Sequence, residues 1–400
     1  MKPVAIAPDT FWIGINDRTT DLFEGLWPIK KDGITYNTYL INDAKKAIID
    51  LAKEFESIAF LEQIQHLVSL NEVDYVIINH MEPDHSGAVK ALLAEAPQVK
   101  LVCSKKAAKM LVSYYGITEN VQIVDDGDTL ELGSHTLRFY STPFVHWPET
   151  MMTFDETTGA LFSCDGFGGY GAFRGSIFDE DTTDLDFYKT EALRYYVNIV
   201  ATFSIPVSKA IQKLAEVPIK VVAPSHGLIW RKNPQEIIQL YSQWAAMQST
   251  PGKNAVTMLY ATMYGNTEKM MNAVAQGIAA ENVPVEIFNV QYTHIGNLLP
   301  ALWVNRAVAV GAPTYEKMLF PMMSNVIDMA SIKRITDKEA IFFGSYGWAG
   351  TAKRDFLEKV TPLNWKMFET IDFEGSAGEM GLAQLEDLGK RFARYLLETN

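Results

Sequence analysis

The sequence predicts two α/β-containing domains of different build. The N-terminal one is an α+β unit of sheets stacked face to face with helices outside. The C-terminal one is an α/β unit with a doubly wound parallel sheet. Three observations predict this. At 400 residues the chain exceeds what one core usually serves. A polar break, QSTPGKN at 248–254, carries Pro251 and Gly252 and separates two stretches of unlike pattern. Before it, short β-like runs mix irregularly with helical ones; after it, apolar strands and helical segments alternate regularly. The domains are therefore expected to be 1–250 and 251–400.

In the first domain, 44–55 reads as a helix and DYVII, at 74–78, as a buried strand. Further strands are expected at 101–104, 135–140, 151–154, 160–165 and 219–226. A long helical pattern covers 193–217, interrupted near Pro206. In the second domain 255–260 is a strand, followed by a polar loop and a helix to about Ala280. More apolar strands follow at 285–290, 307–312 and 339–345, with helical segments between them. Repeated βα alternation implies a parallel sheet, and such sheets bind ligands beyond the carboxyl ends of their strands.

Composition excludes some classes. With 48 acidic against 35 basic residues the net charge is −13, which argues against nucleic acid or an anionic membrane as the main partner. The two cysteines, Cys103 and Cys164, are too few and too far apart for a thiolate metal site and suit a reducing compartment. The opening MKPVAIAPDT lacks the apolar run of a signal peptide. The closest approach to a membrane span, ALWVNRAVAVGAP, is interrupted by Arg306. A cytoplasmic protein is expected.

The stretch NHMEPDHSG, at 79–87, carries the densest chemistry. In an extended segment His80, Glu82 and Asp84 face one side, and His85 joins after a turn. Pro83 stiffens the segment and Gly87 lets the chain bend away. The plainer alternative is a polar loop that caps a helix starting near Ser86. Other strand ends add His146 in PFVHWPET, Asp165 closing ALFSCD, and His226 in APSHGLIW. His66, His135 and His294 fall in a helical pattern, a turn and a loop, and read as ordinary core or surface histidines. Seven candidates are too many for one zinc, but they fit two metals that share a carboxylate. Asp165, alone on its strand, is the natural bridge. Three carboxylates and four imidazoles suit iron or manganese, although ligand type alone does not exclude zinc.

The second domain opens with YATMYGNTEKM, at 260–270. Thr262, Met263, Tyr264, Gly265, Asn266 and Thr267 lie between a strand and a helix, where backbone N–H groups cradle a phosphate without any lysine. The lack of Lys or Arg speaks against a triphosphate loop, and the lack of G-x-G-x-x-G against a dinucleotide. A plain capped helix start is the alternative. Two later strand ends, GAPTYEKM and GSYGWAG, set Tyr315 and Trp348 among small residues, as a flat isoalloxazine ring requires.

These motifs resemble known families. The first loop is a variant of the metallo-β-lactamase pattern H-x-H-x-D-H, with Glu82 in place of the second histidine. With HWPET, CDGFG and APSHG it is similar to the flavodiiron proteins, or A-type flavoproteins, over essentially the whole chain. The resemblance implies a metallo-β-lactamase-like αββα sandwich followed by a flavodoxin-like domain. It implies one iron held by His80, Glu82 and His146 and a second by Asp84, His85 and His226, with Asp165 bridging. It implies FMN bound by 262–267, by Pro313, Thr314 and Tyr315, and by Ser345, Tyr346, Gly347, Trp348, Ala349 and Gly350. Tyr195, in RYYVNI, matches a tyrosine close to the metal pair, where it is placed to donate a hydrogen bond to a bound diatomic ligand; core packing is the alternative. Several relatives carry a histidine just before a glycine near residue 24, where this chain has Glu24, which alters the pocket's polarity.

The implied activity is reduction of dioxygen to water, and of nitric oxide to nitrous oxide, with dioxygen favoured. The implied form lacks a fused rubredoxin, so electrons come from an external donor, rubredoxin or a reduced deazaflavin coenzyme. The implied assembly is a head-to-tail homodimer or a dimer of dimers. Two rivals are a zinc hydrolase of the metallo-β-lactamase type with an added flavin domain, and a flavodoxin-like carrier with a dead first domain.

Overall fold

A computed structural model describes residues 2–399. It divides into two compact units, one running through Ala245 and the other starting at Ala246.

The first unit contains two main sheets. One has seven strands in the order Val4–Ala7, Thr10–Trp12, Tyr39–Asn42, Lys46–Ile49, Val73–Ile78, Lys100–Ser104 and Val121–Val124. It is antiparallel up to Lys46–Ile49 and parallel from there to Val121–Val124. The other sheet orders Thr129–Glu131, Thr136–Ser141, Met151–Asp155, Ala160–Cys164 and Val221–Pro224, with only the last pair parallel. Side chains and backbone join them: Thr153 Oγ1 donates to Asn79 Oδ1 at 2.7 Å, and the Tyr39 hydroxyl donates to the Pro224 carbonyl at 2.7 Å. The helices Ser57–Gln65, Val89–Glu95 and Lys105–Met110 cover the outer face of the first sheet. There Phe60, Ile64, Val89, Leu92, Ala107 and Leu111 pack against Val76, Ile78, Leu101 and Cys103, all fully buried. Each such large apolar side chain contributes about 1.5–3 kcal/mol of transfer free energy.

The second unit is built on five parallel strands ordered Val285–Asn289, Lys253–Tyr260, Asn305–Tyr315, Glu339–Tyr346 and Lys366–Glu374. In chain order this is 2-1-3-4-5, the flavodoxin-type arrangement. The helices Asn266–Ala280 and Gly378–Glu398 pack on one face, where Gly277 and Gly389 let the two backbones approach closely.

Two expectations are corrected. Residues 44–55 are not a helix: Lys46–Ile49 is a strand pairing with Tyr39–Asn42 and Val73–Ile78. Its run Ala47, Ile48, Ile49 is fully buried, a pattern that serves an interior strand as well as a helix. The helical stretch around 193–217 breaks upstream of Pro206. It runs Leu185–Tyr195, loosens at Tyr196–Val200, tightens at Ala201–Phe203, and restarts as Ser204–Lys213. Pro206 therefore sits in the first turn of the restarted helix, where its missing N–H costs nothing.

Candidate metal centre and flavin cradle

The strand Val73–Ile78 delivers Asn79 and His80 to one end of the first unit. Asn79 is held by Asp50, whose Oδ1 accepts the Asn79 N–H at 2.8 Å and whose Oδ2 accepts the side-chain amide at 3.2 Å. The segment is extended only as far as Glu82. Pro83–Ser86 forms a helical turn, so Asp84 and His85 reach the site from that turn rather than from an extended strand. Pro83 opens the turn, which its fixed φ favours.

Asp165 follows Ala160–Cys164. The register of that strand against Val221–Pro224 shifts between Phe162 and Cys164, and Cys164 takes a left-handed φ of 49°. Such a bulge re-aims the next side chain, and left-handed backbone in a non-glycine residue costs of order 1 kcal/mol. Here it turns Asp165 into the site. His226 follows Val221–Pro224, and His146 sits in the loop between Thr136–Ser141 and Met151–Asp155.

Within this geometry the seven side chains fall into two donor groups, His80, Glu82, His146 and Asp165 in one, Asp84, His85 and His226 in the other. Asp165 faces both. Its Oδ2 lies 3.3 Å from His80 Nε2 and 3.3 Å from His146 Nε2. Its Oδ1 lies 3.0 Å from His85 Nε2 and 3.4 Å from His226 Nε2. Glu82 Oε2 completes the first group, 3.3 Å from His80 Nε2 and 3.1 Å from His146 Nε2. Asp84 completes the second, with Oδ1 3.4 Å from His85 Nε2 and Oδ2 3.4 Å from His226 Nε2. Metal–donor bonds of about 2.1 Å set neighbouring donors roughly 3.0–3.4 Å apart.

The atoms also lack other partners. Both Asp84 oxygens, Asp165 Oδ2 and His226 Nε2 are buried and, among the described residues, accept or donate no hydrogen bond. Buried polar atoms are rarely left so. Two metal ions would satisfy each of them, and an all-nitrogen-and-oxygen donor set suits iron. Seven donors in two groups around one shared carboxylate fit a diiron pair.

For two of the four rings, the far side fixes which nitrogen faces inward. The carbonyl of Thr35 accepts from His226 Nδ1 at 2.6 Å, leaving Nε2 with a free lone pair. Glu149 does the same for His80, its Oε1 lying 2.6 Å from Nδ1. Glu149 was missed in the sequence, although it stands three residues after His146 in HWPET.

The electrostatics call for positive charge at this spot. Burial alone would push the imidazoles down, but the carboxylates reverse it and lift His146 to about 9 and His226 to about 10. Against the same burial, Glu149, Glu82 and Asp165 hold His80 well above the usual imidazole range, and Asp84 and Asp165 raise His85. Burial would raise Asp165; His85, His146 and His226 instead hold it well below the carboxylate range.

Tyr195 is buried, and its hydroxyl donates to Asp165 Oδ1 at 2.9 Å. A cavity of about 520 Å³ opens beside Glu82 and Asp84, lined by Phe23, Glu24, Tyr36, Lys53 and Phe55 among others. Burial, reinforced by the charge on Glu82, pushes the Glu24 carboxyl up to about 7. His135 pairs with Asp155 at 2.8 Å, His294 caps the helix Ile295–Val304, and His66 is exposed, so none of the three joins the site.

In the second unit a cavity of about 220 Å³ lies beyond the strand ends. Thr262, Met263, Tyr264, Asn266, Thr267, Pro313, Thr314, Ser345, Tyr346 and Gly347 line it. Gly375, after Lys366–Glu374, lines it too and was not foreseen, because that strand was not read from the sequence. Gly265, Tyr315, Trp348, Ala349 and Gly350 are not on its wall, though Tyr315 and Trp348 are exposed aromatics on neighbouring loops. The helix Asn266–Ala280 starts at Gly265 with no side chain capping it. Its first amides therefore lack a side-chain cap beside this cavity, an arrangement that suits a phosphate group. Gly265 adopts φ 86°, which glycine permits and which aims those amides.

Comparison with known proteins gives matching results. The family model described as ODP family beta lactamase matches residues 34–227, and the flavodoxin model matches residues 258–389. A nitric oxide reductase from Moorella thermoacetica is 35% identical over 365 residues, covering 90% of each chain. The rubredoxin oxygen:oxidoreductase from Desulfovibrio gigas superposes with a TM-score of 0.94 at 27% identity, covering 99% of each chain. A flavodiiron protein from Giardia intestinalis gives a TM-score of 0.93 at 26% identity, over 100% of this chain and 97% of that one. Among the described residues, no helix is long and apolar enough to cross a membrane.

Proposed function

The chain belongs to the flavodiiron proteins, and from that premise we propose that it reduces dioxygen to water at irons placed by Asp165, and reduces nitric oxide to nitrous oxide there as a second activity. The observation that carries this is the division of Asp165, with Oδ2 facing His80, Glu82 and His146 and Oδ1 facing Asp84, His85 and His226. Two ferrous ions supply one electron each and reduced FMN two, which matches the four electrons dioxygen needs, whereas coupling two nitric oxide molecules needs only two.

The chain's own residues hold the geometry. Glu149 and the Thr35 carbonyl keep His80 and His226 in the tautomer that presents Nε2. Tyr195 holds Asp165 against rotation. Phe23 and Tyr36 give one side of the adjoining cavity an apolar surface, which suits a small uncharged substrate. The free amides after Gly265 hold the flavin phosphate, and the flat faces of Tyr315 and Trp348 are available to the ring.

Electrons come from an external donor. Rubredoxin is the donor we propose, with a reduced deazaflavin coenzyme as the other candidate; the name of the Desulfovibrio relative supports the first. The assembly we propose is a head-to-tail homodimer in which the flavin of one subunit serves the irons of the other. An active monomer in analytical ultracentrifugation would contradict that assembly. The activity is tested by anaerobic stopped flow: reduced protein is mixed with dioxygen or nitric oxide, and turnover is compared with each donor. Rapid reoxidation with water as product supports the reading, and a reduced protein inert to both gases overturns it.

A further inference from the structure

The two donor groups are not equivalent, and three observations favour the same one. Among the described residues, Glu149 has no ion-pair partner other than His80, and its side chain is fully buried. Its Oε1 takes the His80 Nδ1 hydrogen at 2.6 Å and the Met81 N–H at 3.0 Å. Its backbone carbonyl is fixed by the Ser104 hydroxyl at 2.8 Å. A full negative charge is thus locked behind His80, making that imidazole a more basic donor.

No carboxylate is hydrogen-bonded behind the imidazoles of the second group. His226 Nδ1 meets the neutral Thr35 carbonyl, and His85 Nδ1 has no hydrogen-bond partner among the described residues. Asp50, the other buried carboxylate nearby, accepts from Asn79 through both oxygens and hydrogen-bonds to neither imidazole. The third observation concerns Asp165. Its Oδ1, which faces the second group, already accepts the Tyr195 hydroxyl at 2.9 Å and so has less charge to give a metal. Its Oδ2, which faces the first group, accepts nothing.

Resting on the diiron reading above, we infer that Glu149 and Tyr195 make the two metal positions unequal. The position of His80, Glu82 and His146 binds iron more tightly and holds it ferric to lower potential. The position of Asp84, His85 and His226 fills last and empties first. Glu149 is a positioning and charge-setting residue that reaches the metal only through His80.

The test is an anaerobic titration of the metal-stripped full-length chain with ferrous iron, with FMN bound. The wild type should bind two irons in two steps whose affinities differ by at least about tenfold. Glu82→Ala should abolish the tight step and Asp84→Ala the weak one. Glu149→Gln keeps the shape and an acceptor but loses the charge. It should weaken the tight step by about 10- to 100-fold, the usual cost of losing an outer partner of a ligating histidine, and leave the weak step in place. It should also raise the lower of the two one-electron potentials, by about 59 mV for each tenfold loss of ferric preference. Tyr195→Phe should tighten the weak step, a direction that mere structural damage does not produce. Two equal steps in the wild type overturn the inference, as does a Glu149→Gln protein weakened equally at both. If Glu149→Gln fails to fold, the wild-type steps and the Tyr195→Phe shift decide. A wild type that binds no pair of irons at all instead removes the diiron reading itself.

Discussion

The Tyr195 hydroxyl donates to Asp165 Oδ1 at 2.9 Å, joining the helix Leu185–Tyr195 to the carboxylate that both donor groups share. Tyr195 also lies edge-on to Tyr170 at 5.1 Å between ring centroids, so its ring is anchored without the hydroxyl. Tyr195→Phe should therefore fold. In the metal-free protein it should lower the unfolding free energy by about 1.5–3 kcal/mol, the value of a hydrogen bond to a charged group. Urea unfolding of the stripped protein measures it, and an unchanged midpoint would mean the bond is not formed in solution.

Asp165→Asn keeps the volume and removes the charge that two groups of imidazoles face. Iron content should fall below half, and dioxygen consumption by at least about a hundredfold, more than the 10- to 100-fold cost of losing an outer partner. The candidate flavin cavity lies in the other unit, so FMN content should be unaffected. Metal analysis and flavin absorbance on the same preparation check both.

Asn266→Asp puts a carboxylate at the first turn of the helix Asn266–Ala280, inside the phosphate cradle. Affinity for FMN should drop at least about tenfold through like-charge repulsion, which converts to roughly 1.4 kcal/mol. Riboflavin, which has no phosphate, should bind as before. Fluorescence titration with the two flavins compares them, and an equal loss for both would show that the loop does not hold the phosphate.

Lys338 predicts a pH effect far in sequence from the candidate metal donors. Its Nζ donates to the carbonyls of Trp303 and Asn305 at 3.0 and 2.6 Å, and the residue is 4% exposed. Burial pushes the ammonium down from 10.5 to about 7, against a weaker upward pull from Asp337. Between those values the unfolded chain holds a proton that the folded one has released. Stability contributed through this group should therefore rise with pH across that window, by a few kcal/mol at most. Lys338→Met should flatten the slope between pH 7 and 9.5 in urea titrations of the metal-free protein. A slope unchanged by the substitution would show that the amine stays charged.

Much of the candidate donor cluster was legible because its side chains stand at strand ends. Asp165 and His226 each follow a buried apolar run, and the loop after Val73–Ile78 supplies four more. The loops around the second cavity were legible for the same reason, with Gly375 missed because Lys366–Glu374 mixes Lys, Glu and Asp with apolar residues and is only half buried. The strand Lys46–Ile49 was misread because a buried strand and a buried helix show the same apolar run. Strands such as Thr10–Trp12 and Ile34–Tyr36 have three residues each, too few for any period to show. Glu149 was missed for a different reason: its importance lies in a contact with His80 across 69 residues, which no local pattern records.

The account depends most on Asp165 joining two irons. Mössbauer spectroscopy of protein grown on isotopically labelled iron tests this directly. The expected result is two iron sites of equal area per chain, magnetically coupled in the oxidised protein, with total iron signal below half and the coupling lost in Asp165→Asn. A single uncoupled iron, or zinc in its place with no iron signal, would contradict it.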